Sequence, residues 1–110
     1  MKKLFLIMLV LCAIGCAKDK STVKGVITTD NLGSLNSPVG GATVSLMVGG
    51  AKNRSTTSDK DGNFSFSDVK DGKYTILVEA MLGTTNYNVT SENPGTVKGK
   101  RTYNCNIFIN

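Results

Sequence analysis

The chain has 110 residues, 13 basic against 8 acidic side chains, a formal net charge of +5, three cysteines and no histidine. That length holds one domain. The lack of histidine excludes Ser–His–Asp and Cys–His nucleophile activation and every histidine-containing zinc site.

The first element stands apart from that domain. Lys2 and Lys3 precede an unbroken apolar run at 4–14, "LFLIMLVLCAI". A membrane-spanning helix needs roughly 20 apolar residues, so residues 1–15 read as a secretory signal. The run closes on Ala13-Ile14-Gly15-Cys16. This resembles the lipobox of bacterial lipoproteins, with Ala13 where Leu is commoner. The resemblance implies cleavage before Cys16 and a diacylglyceryl group on its sulfur. One acyl chain holds a bilayer marginally, whereas two or three hold it durably, at about 0.8 kcal/mol per buried methylene. Residues 16–21 are then the lipidated cysteine and a polar tether. Ala17 follows the cysteine where Asp would mark a different destination, which resembles the pattern sorted to an outer membrane. The mixed charges of Lys18-Asp19-Lys20 leave periplasmic face and cell surface both open. Losing Lys2 and Lys3 with the signal leaves 11 basic against 8 acidic residues, a net of +3. Nucleic acid is not an expected partner of such a chain.

Residues 22–110 show no helical periodicity. Short β-type runs alternate with turn residues, the pattern of an all-β sandwich. The first strand is expected over 22–28, with Val23, Gly25 and Ile27 on one face. A polar loop follows at 29–38. Strand 42–48 puts Ala42, Val44, Leu46 and Val48 on one side, Gly49-Gly50 turns the chain, and 54–58 is a polar edge strand. Asp61-Gly62 supplies positive-φ positions for a β-hairpin turn, after which Phe64 and Phe66 open a strand. Lys70-Asp71-Gly72 is a second turn. Strand 73–80 faces Tyr74, Ile76, Val78 and Ala80 inward, 84–90 is a sixth strand, and Asn93-Pro94-Gly95 marks a loop. The last strand, 101–109, turns Tyr103, Cys105, Ile107 and Ile109 inward. Seven strands in about ninety residues bury roughly 60–65% of the unfolded surface, enough to fold unaided.

Four pieces in this order carry a resemblance: Val23-Lys24-Gly25-Val26-Ile27; Pro38-Val39-Gly40-Gly41-Ala42-Thr43-Val44; the run from Thr57 through Asp61-Gly62 to Phe64-Ser65-Phe66; and Gly72-Lys73-Tyr74-Thr75-Ile76. Together they resemble the carboxypeptidase regulatory-like family, whose fold is similar to transthyretin. The resemblance implies a single seven-stranded Greek-key β-sandwich over 22–110. It carries no shared catalytic residues. The transthyretin-like hydrolases depend on histidines, so that activity is not inherited.

Two site patterns in the sequence fall short of the chemistry they suggest. Asp59, Asp61 and Asn63 alternate like the start of a calcium-binding loop. That loop needs Gly at its sixth position and Glu at its twelfth; counting from Asp59, these are Phe64 and Lys70. Pilin-type sandwiches make Lys–Asn isopeptide bonds, for which Lys24, Glu79 and Asn104 or Asn106 would be candidates. Alternation turns Lys24 and Glu79 outward. No metal, cofactor or catalytic residue is therefore assigned.

Cys105 is alone once the signal is gone and Cys16 is acylated, and it reads as a small buried hydrophobe. The cluster Lys98, Lys100 and Arg101 reads as a solvated loop. With no tryptophan, Tyr87 and Phe108 are the candidate ligand contacts, since Tyr87 lies between Asn86 and Asn88 and Phe108 is out of phase with Ile107 and Ile109. Phe108 is read as covering a patch that faces a protein partner. The expected function is a lipid-anchored, non-enzymatic envelope module with a structural or protein-interaction role. The alternative is a carbohydrate-binding module, its partner a glycan.

Overall fold

In the computed structural model residues 20–110 are described; the expected signal, Cys16 and the tether through Asp19 lie outside the described residues. Every second residue from Ser21 to Thr29 is buried, and this alternation makes β1 (Ser21–Thr29) the centre of one sheet. β5 (Asn63–Val69) pairs with it antiparallel from Ser21 to Val26, and the two-residue β2 (Ser37–Pro38) takes over at Thr28 and Thr29. On the other edge β8 (Thr102–Asn104) and β9 (Ile107–Ile109) run parallel to β1. The second sheet has the order β4-β3-β6-β7, with β3 (Thr43–Val48), β4 (Ala51–Thr57), β6 (Gly72–Leu82) and β7 (Thr85–Val97) all antiparallel.

Two sheets thus face one another across Val23, Ile27, Val44, Leu46, Phe64, Phe66, Ile76, Val78, Ile107 and Ile109, all buried. Phe64 and Phe66 meet edge to face, their centroids 6.3 Å apart, a favoured aromatic geometry. The open side between β4 and β5 is closed by Arg54. Its Nη1 donates to the Ser67 carbonyl at 2.6 Å and its guanidinium lies 5.6 Å from the Phe66 ring centre.

The expected seven strands are all present, with boundaries that shift. The last strand is split at Cys105-Asn106. The reason is Gly25: a Cβ there would collide with the Cys105 carbonyl and lie 2.9 Å from the Phe64 ring. The missing side chain lets the last strand press in on β1. At the break, Cys105 N–H donates to the Lys24 carbonyl at 2.7 Å, and Asn106 Oδ1 accepts from Val26 N–H at 3.0 Å. A side-chain amide thus replaces one rung of the ladder.

Other expectations are corrected. Asn93-Pro94-Gly95 does not leave the sheet; β7 runs through it to Val97, with a register shift opposite Tyr74 and Ile76. Strand β4 begins at Ala51, directly after the Gly49-Gly50 turn. Val48 is exposed where alternation expected it inside, and Tyr103 is half-buried, its hydroxyl bonded to both the N–H and the carbonyl of Lys98. Asp61-Gly62 is not a hairpin turn, because β4 and β5 belong to different sheets. Only Gly62 of that pair has positive φ, at 81°. A local turn signal cannot distinguish a hairpin from a bend that carries the chain across the sandwich.

Candidate functional site

The stretch 58–63 is built from its own side chains. Asp59 Oδ1 accepts from the N–H groups of both Asp61 and Asn63 at 2.9 Å, an Asx turn. Gly62 N–H donates to the Asp59 carbonyl at 2.9 Å, and the Gly62 carbonyl accepts from Ile27 N–H at 2.8 Å. The carboxylate thus starts β5, and Phe64, where a calcium loop would need glycine, is core. Among the described residues no three His, Cys, Asp or Glu side chains group in a way that could hold a metal ion.

The isopeptide candidates are distributed over two sheets. Lys24 is on the exposed side of β1; Glu79, on β6 of the other sheet, pairs with Lys52 at 2.9 Å. Asn106 is committed to the Val26 N–H. Cys105 is 2% exposed, and burial pushes its thiol pKa up, away from the nucleophilic thiolate.

The outer face of the β1 sheet is the most distinctive surface. Lys24 sits between Ser65 of β5 and Asn104 of β8, Val26 is paired with Asn63, and Phe108 stands beside Thr28. Lys24, Val26, Asn63, Ser65, Asn104, Asn106 and Asp59, with Thr56 and Thr57 of β4, line an open groove of about 660 Å³. Three carboxamides, three hydroxyls, one carboxylate and one ammonium supply both donors and acceptors. Phe108 continues this face, 43% exposed.

Of the two aromatic candidates, only Phe108 is on this face. Tyr87 pairs with Ala80 in the opposite sheet and is half-buried against the core. The two rings do not form one platform. Alternation alone missed this, because the polar neighbours Asn86 and Asn88 hide the inward phase that Tyr87 shares with Val89. The carboxamides were legible only as residues beside Phe108; their convergence depends on which strands flank β1.

This is a two-sheet β-sandwich module. The chain belongs to the carboxypeptidase regulatory-like domain family, whose model matches residues 22–98. It is also similar to a protein described as tRNA-specific 2-thiouridylase MnmA from Salinispora arenicola (strain CNS-205), 32% identical over 91 residues, 82% of this chain and 25% of that protein. The chain thus spans about a quarter of that relative's length. Among solved structures, it is similar to the dioxygenase domain of a dioxygenase–carbohydrate-binding protein fusion from Streptomyces sp. SirexAA-E. That likeness has a TM-score of 0.43 and 14% identity, over 82% of this chain and 81% of that one.

Proposed function

We propose that this chain is a lipid-anchored, non-catalytic module of the cell envelope that binds a partner protein. In this reading Cys16 carries the anchor in an outer membrane, and the outer face of the β1 sheet meets the partner. The observation that carries it is Phe108, a large apolar ring on the solvent side of an edge strand, beside a groove rich in hydrogen-bonding groups. Leu32 and Leu35 are also exposed, in the loop that leaves the same end of β1. Apolar side chains rimmed by polar ones characterise protein interaction sites. The buried, protonated thiol of Cys105 and the structural use of the Asp59 carboxylate favour a binding role over a catalytic one.

A photo-crosslinking residue placed at Asn104 in the membrane-anchored protein tests this. One discrete envelope protein should be captured, and capture should fall sharply in Phe108→Ser but not in Met81→Ser, an exposed apolar control on β6. Equal capture by all three chains would sink the reading.

The groove's carboxamides support a second reading, a glycan ligand, since such groups pair with sugar hydroxyls while an aromatic ring covers a C–H face. Phe108 is the single exposed ring on this face among the described residues, which gives that reading one stacking surface.

A further inference from the structure

The loop 98–101 is fastened to the point where the tether joins the domain. Ser21, the first residue of β1, donates its hydroxyl proton to the Gly99 carbonyl, and its Oγ accepts from Arg101 N–H at 3.2 Å. Thr22 N–H donates to the Arg101 carbonyl at 2.9 Å. Gly99 N–H donates to Asp71 Oδ1 at 2.9 Å, which draws in the β5–β6 connection. These bonds gather Lys20, Lys70, Lys73, Lys98, Lys100 and Arg101 around one end of the sandwich. All but Lys20 are exposed, and Lys20 is half-exposed. Among the described residues, Asp68 and Asp71 are the acidic side chains beside them.

The other end has the reverse balance. β1 is nine residues long, which separates its ends by roughly 30 Å. At the far end Asp30, Asp59 and Asp61 outnumber Lys60. The modest net charge therefore conceals a polarity along β1, with its basic pole at the tether. The sequence displays Lys98, Lys100 and Arg101 as a short loop cluster; only the fold adds Lys70 and Lys73 and sets all of them beside Ser21.

We propose that this basic pole is a docking surface for the anionic phospholipid headgroups of the membrane that holds the protein's own anchor. The proposal rests on the reading that Cys16 is lipidated. Four residues lie between Cys16 and Ser21, and the five Cα steps they make span at most about 18 Å of extended chain. A domain so tethered keeps its nearest end close to the bilayer, and that end bears the cations. Headgroup phosphates attract Lys and Arg within a Debye length, roughly 8–10 Å at physiological salt. Docking would orient β1 along the membrane normal and hold the Phe108 end outward, where a partner can reach it.

The test uses the full chain, expressed with residues 1–15 and purified in detergent, mixed with vesicles of phosphatidylcholine alone or with about one-third phosphatidylglycerol, with lysine acetylation followed by mass spectrometry. Lys98, Lys100 and Lys70 should be labelled at least about threefold more slowly on the anionic vesicles, an effect erased by about 0.5 M salt. Lys60, at the other end, should label equally on both. Lys98→Glu/Lys100→Glu changes two exposed side chains and should remove most of the protection of Lys70. Equal labelling on both vesicle types would overturn the proposal. Failure to co-sediment with neutral vesicles would refute the anchor instead. The basic pole is then judged alone: salt-sensitive co-sedimentation with anionic vesicles, lost in the double variant, sustains it, and no such binding overturns it.

Discussion

Ser58 and Ala42 hold each other twice. Ala42 N–H donates to the Ser58 hydroxyl oxygen at 3.0 Å, and Ser58 N–H donates to the Ala42 carbonyl at 2.9 Å. The Ser58 hydroxyl also donates to the Val39 carbonyl at 2.7 Å. One buried serine thereby ties the approach to β3 to the end of β4. Ser58→Ala leaves the buried Ala42 N–H and Val39 carbonyl without these partners. The expected loss is about 1–3 kcal/mol, read as a lower urea midpoint with an unchanged slope. A midpoint equal to wild type would show that the loop does not depend on this hydroxyl.

Gly62 is fixed by two separate requirements. Its φ is +81°, and a Cβ would lie 2.5 Å from the Ile27 carbonyl oxygen. Gly62→Val should cost at least about 1–3 kcal/mol from backbone strain alone, before any clash with β1. The melting temperature of the wild-type protein should not move on calcium titration, because Phe64 and Lys70 stand where a calcium loop needs glycine and glutamate and Asp59 Oδ1 is held by two backbone N–H groups. A calcium-dependent rise of several degrees would overturn the structural role assigned to this loop.

The strands were legible in the sequence because one face of each is buried, so period-two alternation survives in Val23/Ile27, Val44/Leu46 and Ile76/Val78. What stayed hidden was everything set by the partner strand. The sequence around Asp61-Gly62 carries the chemistry of a turn but not which sheet receives the next strand. The cause of the break at Cys105-Asn106 resides in Gly25, 80 residues earlier in the chain. The groove followed the same rule: Lys24, Ser65 and Asn104 meet only because β5 and β8 flank β1. Tyr87 failed as an exposed candidate because its inward phase is set by β6.

Cys105 should behave as an inert thiol. Burial raises its pKa above its ordinary value of 9.0, so the folded chain keeps the proton more tightly than the unfolded one. The sign follows: this contribution is fully present below pH 9 and is lost as pH rises through the raised folded-state value. Stability should therefore decline in alkali, and a chromogenic disulfide reagent at pH 8 should react at least about 100-fold faster in urea than in buffer. Rapid labelling of the native protein would show that the last strand opens readily.

Cys16→Ser should abolish metabolic fatty-acid labelling and processing at this site. The wild-type chain should fractionate with membranes and incorporate label. Retention of label by the variant would mean that another residue carries the acyl group, and the lipobox reading of Ala13-Ile14-Gly15-Cys16 would fall.

The glycan reading makes a sharper demand on Phe108. A sugar site gains from aromatic rings because the C–H face of the sugar packs on the π surface while its hydroxyls pair with polar groups. Asn63, Asn104 and Ser65 offer such pairing along the groove. Tyr87, half-buried in the other sheet, adds no second ring to that face. The remaining groups are solvated in the free protein, so each new hydrogen bond returns only its surplus over water, about 0.5–1.5 kcal/mol. One ring and a few exchanged hydrogen bonds fall short of the roughly 8 kcal/mol that a 1 mM site needs, about 4 to offset the entropy lost on association and about 4 of net affinity. Binding across a panel of common polysaccharides should therefore be weaker than about 1 mM, by calorimetry or saturation transfer. Measurable binding that disappears in both Phe108→Ala and Asn104→Ala, with Tyr87→Ala unaffected, would transfer the groove from a protein partner to a glycan. Binding lost in Tyr87→Ala alone would place the sugar on the other sheet.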